Sequence, residues 1–116
     1  MKYLFLAYSD EQQWKLRPSN ERDTLDKACI ANDEALRESG YLLATENLKD
    51  SGPVTTVWVI NKKVCLKDGP LFKENEQLVG LFFIHARDLN EAILVASKMP
   101  QTHRGPIEVH LIDEGI

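Results

Sequence analysis

The segment Tyr3 to Tyr8 is apolar on both of its alternating faces, which limits the chain to folds that cover this strand from two sides. Tyr3, Phe5 and Ala7 point one way; Leu4, Leu6 and Tyr8 point the other. Further along, two segments carry helical periodicity. The first opens at Pro18 to Asn20, repeats Leu25, Ala28, Cys29, Asn32 and Leu36, and ends at Gly40, a residue suited to the left-handed position after a helix. Its apolar stripe is thin, as in a helix laid on a sheet with most of its circumference in water. The second begins at Asp88 with Glu91 in capping-box register, lines one face with Leu89, Ala92, Ile93, Ala96 and Met99, and stops at Pro100. Two helices cover one sheet face, so a second subunit is predicted on the other.

Five more strands are expected. Tyr41 to Asn47 is short, and Val54 to Ile60 is rich in β-branched residues. The Asn61-Lys62-Lys63 turn then returns the chain through Val64 to Lys67 as a hairpin. Leu78 to His85 and Ile107 to Ile112 complete the set, and Ser9 to Ser19 reads as a loop. The order strand, helix, strand, hairpin, strand, helix, strand predicts an α+β fold, a ferredoxin-like split βαβ sandwich with an added β-hairpin. A chain of 116 residues buries roughly two-thirds of its unfolded surface without staples, so residues 1–116 are expected to form one domain.

The balance of 18 acidic against 14 basic residues gives a net charge of −4, which argues against a phosphate-binding face and against nucleic acid as a partner. The opening residues lack the apolar core and cleavage site of a secretory leader, and no apolar run approaches membrane-spanning length. Cys29 and Cys65 have no metal or redox spacing and read as reduced core thiols. A cytoplasmic protein with no membrane association is expected.

The chemistry-bearing candidates are few. Asp68-Gly69-Pro70-Leu71 is a committed chain reversal with a carboxylate at its start, which either accepts N–H bonds of its own turn or anchors a ligand. Glu76 flanks the next strand. Glu108 and His110 share one strand face, where the acid can orient the imidazole as a base or simply pair with it at a subunit contact. His85 and His103 stand alone, and no histidine lies at ligand spacing to another, so no metal is expected. Trp14 and Trp58 read as core or pocket-rim residues, and Ser9 and Ser51 lie outside any nucleophile elbow. No cofactor motif is present.

Read together, DGPLFKENEQLVG, the opening YLFLAYSDEQQW and the ending GPIEVHLI resemble the YCII-related family in its DGPF-domain branch. Tyr3 to Trp14, Asp68 to Gly80, Asp88 to Ala92 and Gly105 to Val109 match in order, which covers nearly the whole chain. Leu71 replaces the motif phenylalanine, Lys73 the next acid, Asn75 the lysine, Val79 the first of two glycines and His110 the arginine of the last strand. The resemblance implies a ferredoxin-like dimer of the dimeric α-β barrel type with a cleft near the subunit interface. It implies no settled activity, and some relatives sit beside sigma-factor-like regulators.

The expected protein is a cytosolic homodimer whose interfacial polar cleft binds a small molecule, with Asp68 as anchor and Gly69, Pro70, Glu76 and Glu108 around it. Two other readings stand beside it: a small enzyme using Asp68 and His110 for proton transfer, and a noncatalytic module serving a transcription regulator.

Overall fold

The computed structural model describes residues 1–49 and 52–115. Ser51 therefore lies outside the described residues. Strand β1 (Lys2–Ser9) is central in a four-stranded antiparallel sheet of order β2-β5-β1-β6, formed with β2 (Leu42–Asn47), β5 (Gln77–His85) and β6 (Ile107–Leu111). This order, with a helix after β1 and another after β5, is the ferredoxin-like α+β arrangement. Strands β3 (Thr55–Ile60) and β4 (Lys63–Asp68) form a separate hairpin, the added element between β2 and β5.

Helix α1 (Glu11–Leu16) occupies a segment expected to be loop. Asp10 caps it by accepting the Gln12 and Gln13 N–H groups at 3.1 and 3.2 Å, and its apolar content is one buried Trp14 plus Leu16, too little to show a period. Ser9 is likewise not in a loop: it is the last residue of β1 and is 0% exposed.

Helix α2 (Ser19–Glu38) starts after Pro18 and has no fully buried residue, in keeping with its thin stripe. It ends in a Schellman closure, Tyr41 N–H to Leu36 O at 2.9 Å and Gly40 N–H to Arg37 O at 3.1 Å, with Gly40 at φ +82°. Helix α3 (Leu89–Lys98) is capped by Asp88, which accepts the Glu91 N–H at 2.9 Å, while Glu91 reaches back to the Arg87 N–H at 2.9 Å. Beyond it Pro100 opens a 3-10 turn, Pro100–His103, that the helix-stop signal did not reveal.

The core lies between the sheet and the helices. Tyr3, Phe5, Phe82, Ile84 and Met99 are at most 1% exposed, and Leu36, Ala92, Val95 and Ala96 pack against them from α2 and α3. Leu4, Leu6 and Leu81 lie on the opposite face, half-buried, with Phe83 38% exposed among them. At the open end of the sheet β5 carries one extra residue, Val79, where pairing passes from Ala7↔Gly80 to Tyr8↔Leu78. Such a bulge bends a strand and re-aims its side chains.

Candidate functional site

Beside that bulge a cleft of about 400 Å³ opens between α2 and the sheet. Its floor is apolar, from Ala7, Val79, Gly80 and Phe82, and Leu25 and Ile30 of α2 form one wall. Polar groups enter from α2 and from the segment after α3: Asp26 and Asp33 on one side, Gln101 and Arg104 on the other. The volume falls in the range of small-molecule sites, and a mostly apolar lining with a few convergent polar groups is their usual composition.

Gln101 Nε2 donates to Asp33 Oδ1 at 3.1 Å, tying the 3-10 turn to α2. Gln101 Oε1 is buried and accepts no hydrogen bond among the described residues. Burial pushes the Asp33 carboxyl above its ordinary range, and the Gln101 bond and the Arg37 charge pull it only partly back. Burial, reinforced by Asp33 and Asp26, pushes the Cys29 thiol up to about 11. Cys29 is therefore a protonated thiol near neutrality and a poor nucleophile.

Arg104 is held from several sides. Its Nε donates to Ser9 Oγ at 2.9 Å, its Nη2 pairs with Glu11 Oε1 at 2.5 Å, and its guanidinium stacks 4.6 Å from the Trp14 ring centroid. Gly105 makes this possible, because a Cβ there would stand 2.0 Å from the Tyr8 carbonyl oxygen. Glu11 offsets the Arg104 charge, so the nearby carboxyl groups of Asp26 and Asp33 set the sign of the cleft.

On the open sheet face Tyr8, Glu108 and His110 form a second polar group. Tyr8 donates its hydroxyl proton to Glu108 Oε1 at 2.8 Å, and His110 Nε2 lies 3.4 Å from the same oxygen. The Tyr8 bond and then His110 hold the Glu108 carboxyl below its ordinary range, and Glu108 in turn raises the Tyr8 phenol. Glu108 and His110 are thus neighbours, as their spacing suggested.

The remaining sequence candidates are placed apart from them. Asp68 ends β4 and is exposed, Gly69 takes φ +105° and donates to Val54 O at 2.7 Å, and Pro70 follows at the surface. No hydrogen bond to the Asp68 carboxylate is found among the described residues. Glu76 is exposed just before β5. Asp68 and His110 belong to different sheets, and none of Asp68, Gly69, Pro70, Glu76, Glu108 and His110 lines the α2 cleft. His85 and His103 are exposed, and among the described residues no group of three or more His, Cys, Asp or Glu side chains could hold a metal. Sequence reasoning missed Asp33, Gln101 and Arg104, which no spacing links. The one local signal was Arg104-Gly105-Pro106, where a cation precedes a glycine and a proline that dock on β1.

The sequence profile of the YCII-related domain matches residues 1–114, and the chain belongs to that family. None of the curated proteins matches the chain. Among solved structures it is similar to 5-chloro-2-hydroxyhydroquinone dehydrochlorinase (TftG) from Burkholderia phenoliruptrix AC1100 in complex with 2,5-dihydroxybenzoquinone. That likeness has a TM-score of 0.53 at 14% identity and covers 97% of this chain and 94% of that one, which supports the shared fold.

Proposed function

We propose that this member of the YCII-related family binds a small, uncharged, hydroxyl-bearing ring in the cleft between α2 and the bulged end of the sheet. The observation that carries the reading is the buried Gln101 Oε1 without a donor, set beside the half-buried Asp33 in a cleft of about 400 Å³. A ligand hydroxyl would supply the missing proton, and Phe82, Leu25 and Ile30 would cover the ring. Asp26 and Asp33 disfavour an anion there. The dehydrochlorinase of similar fold holds 2,5-dihydroxybenzoquinone, an oxygenated ring of suitable size, which supports the class though not the compound.

The protein is read as a cytosolic homodimer of the dimeric α-β barrel type in the DGPF branch, and as one domain over residues 1–116. What supports the dimer is the half-buried apolar face of Leu4, Leu6 and Leu81 with Phe83 beside them. The Glu108–His110 contact favours a second reading, proton transfer by His110 at that face. Asp68 would join such a site as anchor or acid, with Gly69, Pro70 and Glu76 near it, by coming from another subunit.

Thermal-shift titration with a panel of hydroxylated benzenes and quinones tests the cleft reading. A ligand at 100 times its Kd should stabilise the protein by about 2.7 kcal/mol. Gln101→Leu should abolish that gain, while Asp68→Asn and His110→Gln should leave it intact. A ligand whose effect survives Gln101→Leu but is lost in His110→Gln would move the site to the open face.

A further inference from the structure

The β3–β4 hairpin presents one aliphatic face that is left bare among the described residues. Pairing places Val57 opposite Leu66 and Val59 opposite Val64, so these four side chains share a face, with Thr55 and Asp68 at its foot. They are 59, 67, 63 and 68% exposed. The other face, with Thr56, Trp58, Cys65 and Lys67, is partly roofed by the chain that follows β4. Thr56 Oγ1 donates to Gly69 O at 2.8 Å and Lys67 Nζ to Leu71 O at 3.2 Å, and Thr56 and Cys65 are half-buried.

The hairpin stands out as an arm: its strands pack chiefly on each other. The radius of gyration is 16.2 Å, against about 13 Å for a compact chain of this length. Its tip is a tight reversal with Asn61 and Lys62 at φ 49° and 66°, which favours a rigid ribbon over a floppy loop. An isolated two-stranded hairpin is marginally stable in water, and one with an aliphatic face this bare needs a cover.

We infer that this face docks on the body of a second copy of the chain, the two copies exchanging arms. Charge complementarity points to this occupant. The arm, Thr55 to Asp68, carries Lys62, Lys63 and Lys67 against Asp68, a net +2 on a chain of net −4, which leaves −6 on the remainder. A basic arm is repelled by another arm and attracted to an acidic body. The area fits as well. At these exposures the four side chains present roughly 400 Å² of apolar surface. Two exchanged arms and the surfaces beneath them would bury roughly 1,600 Å², the size of a standard stable interface. The inference shares the homodimer with the reading above and assigns it an additional contact.

Sedimentation analysis of the full chain from 0.1 to 100 µM tests it, with Val59→Glu and Leu66→Glu on the arm, Leu6→Glu on the open sheet face, and near-ultraviolet circular dichroism to confirm that each body is folded. A wild-type dimer that either arm substitution weakens at least 100-fold, with dissociation promoted by 0.5 M salt, is the expected result. If the glutamates perturb the hairpin itself, a chain with residues 55–68 replaced by a short Gly-Ser linker gives the same readout, because the arm is then gone. A monomeric wild type overturns the inference. So does a dimer that survives both arm substitutions and the linker replacement but not Leu6→Glu, which leaves the sheet-face dimer standing alone. Hydroxylated-ring titrations on the same variants report the cleft separately, since no arm residue lines it.

Discussion

Phe5 in β1 and Val57 in β3 both sit mid-strand among alternating apolar residues, yet Phe5 is 0% exposed and Val57 59%. The difference does not lie in the strands. β1 has neighbours on both edges and helices on one face, whereas β3 pairs only with β4 among the described residues and no helix lies on its Val57 face. Strand pattern specifies which side chains share a face; what covers that face is decided by topology. A pattern-based count of core residues would have assigned the arm to the interior.

Substitutions that treat the two regions alike should separate them. Phe5→Ala removes a ring from a closed core and should cost about 3–5 kcal/mol, seen as a fall in the urea midpoint. A cost near zero would mean that the helix-covered face is not the core. Glu11→Ala should cost about 3 kcal/mol by leaving the mostly buried Arg104 without its carboxylate, and it should also loosen the cleft that Arg104 borders. If its melt matches wild type, the pair is not holding the 3-10 turn to β1. Asp88→Ala should cost about 1 kcal/mol at the start of α3, and Asp88→Asn much less.

The next effect depends on pH and has a defined sign. The folded-state carboxyl of Asp33 is raised, so the native state binds its proton more tightly than the unfolded state does. Relative to Asp33→Asn, the wild type should lose stability as pH rises from the ordinary carboxylate value of 3.8 through the raised one, and the difference should hold constant above it. Parallel melts from pH 3 to 8 that show the opposite slope would mean that Asp33 is stabilised as an anion. The smallest effect belongs to the arm. Val59→Ala should change stability by less than about 0.5 kcal/mol in dilute monomer, and by more once copies associate.

Much of the main sheet was legible. The two-faced β1, the Gly40 closure of α2 and the Asp88–Glu91 box of α3 are local signals, and each appears in the fold where it was expected. Helix α1 was not legible, because a six-residue helix with one buried aromatic carries no period and rests on the Asp10 cap and on Trp14 meeting Arg104. The candidate site was legible only in part. Glu108 and His110 are two residues apart on one strand and had to be neighbours. Asp33, Gln101 and Ala7 meet only because β1, α2 and the turn after α3 converge at one end of the sheet. Asp68 was legible as the start of a turn, since Gly69 takes the positive φ its position required, but a turn signal says nothing about what the carboxylate faces.

The position of β1 at the centre of the sheet has a consequence for the order in which the protein can be made. Its partners are β5 and β6, which follow it by some seventy and a hundred residues, so Tyr3 to Tyr8 is synthesised well before either. At roughly 5–20 residues per second, this two-sided apolar strand waits on the order of several seconds before either edge is paired. During that interval neither strand partner is available, so the growing chain carries a two-sided apolar segment that is not yet paired. A factor that shields short apolar strands during translation should therefore influence the yield of this protein more than its final stability would suggest.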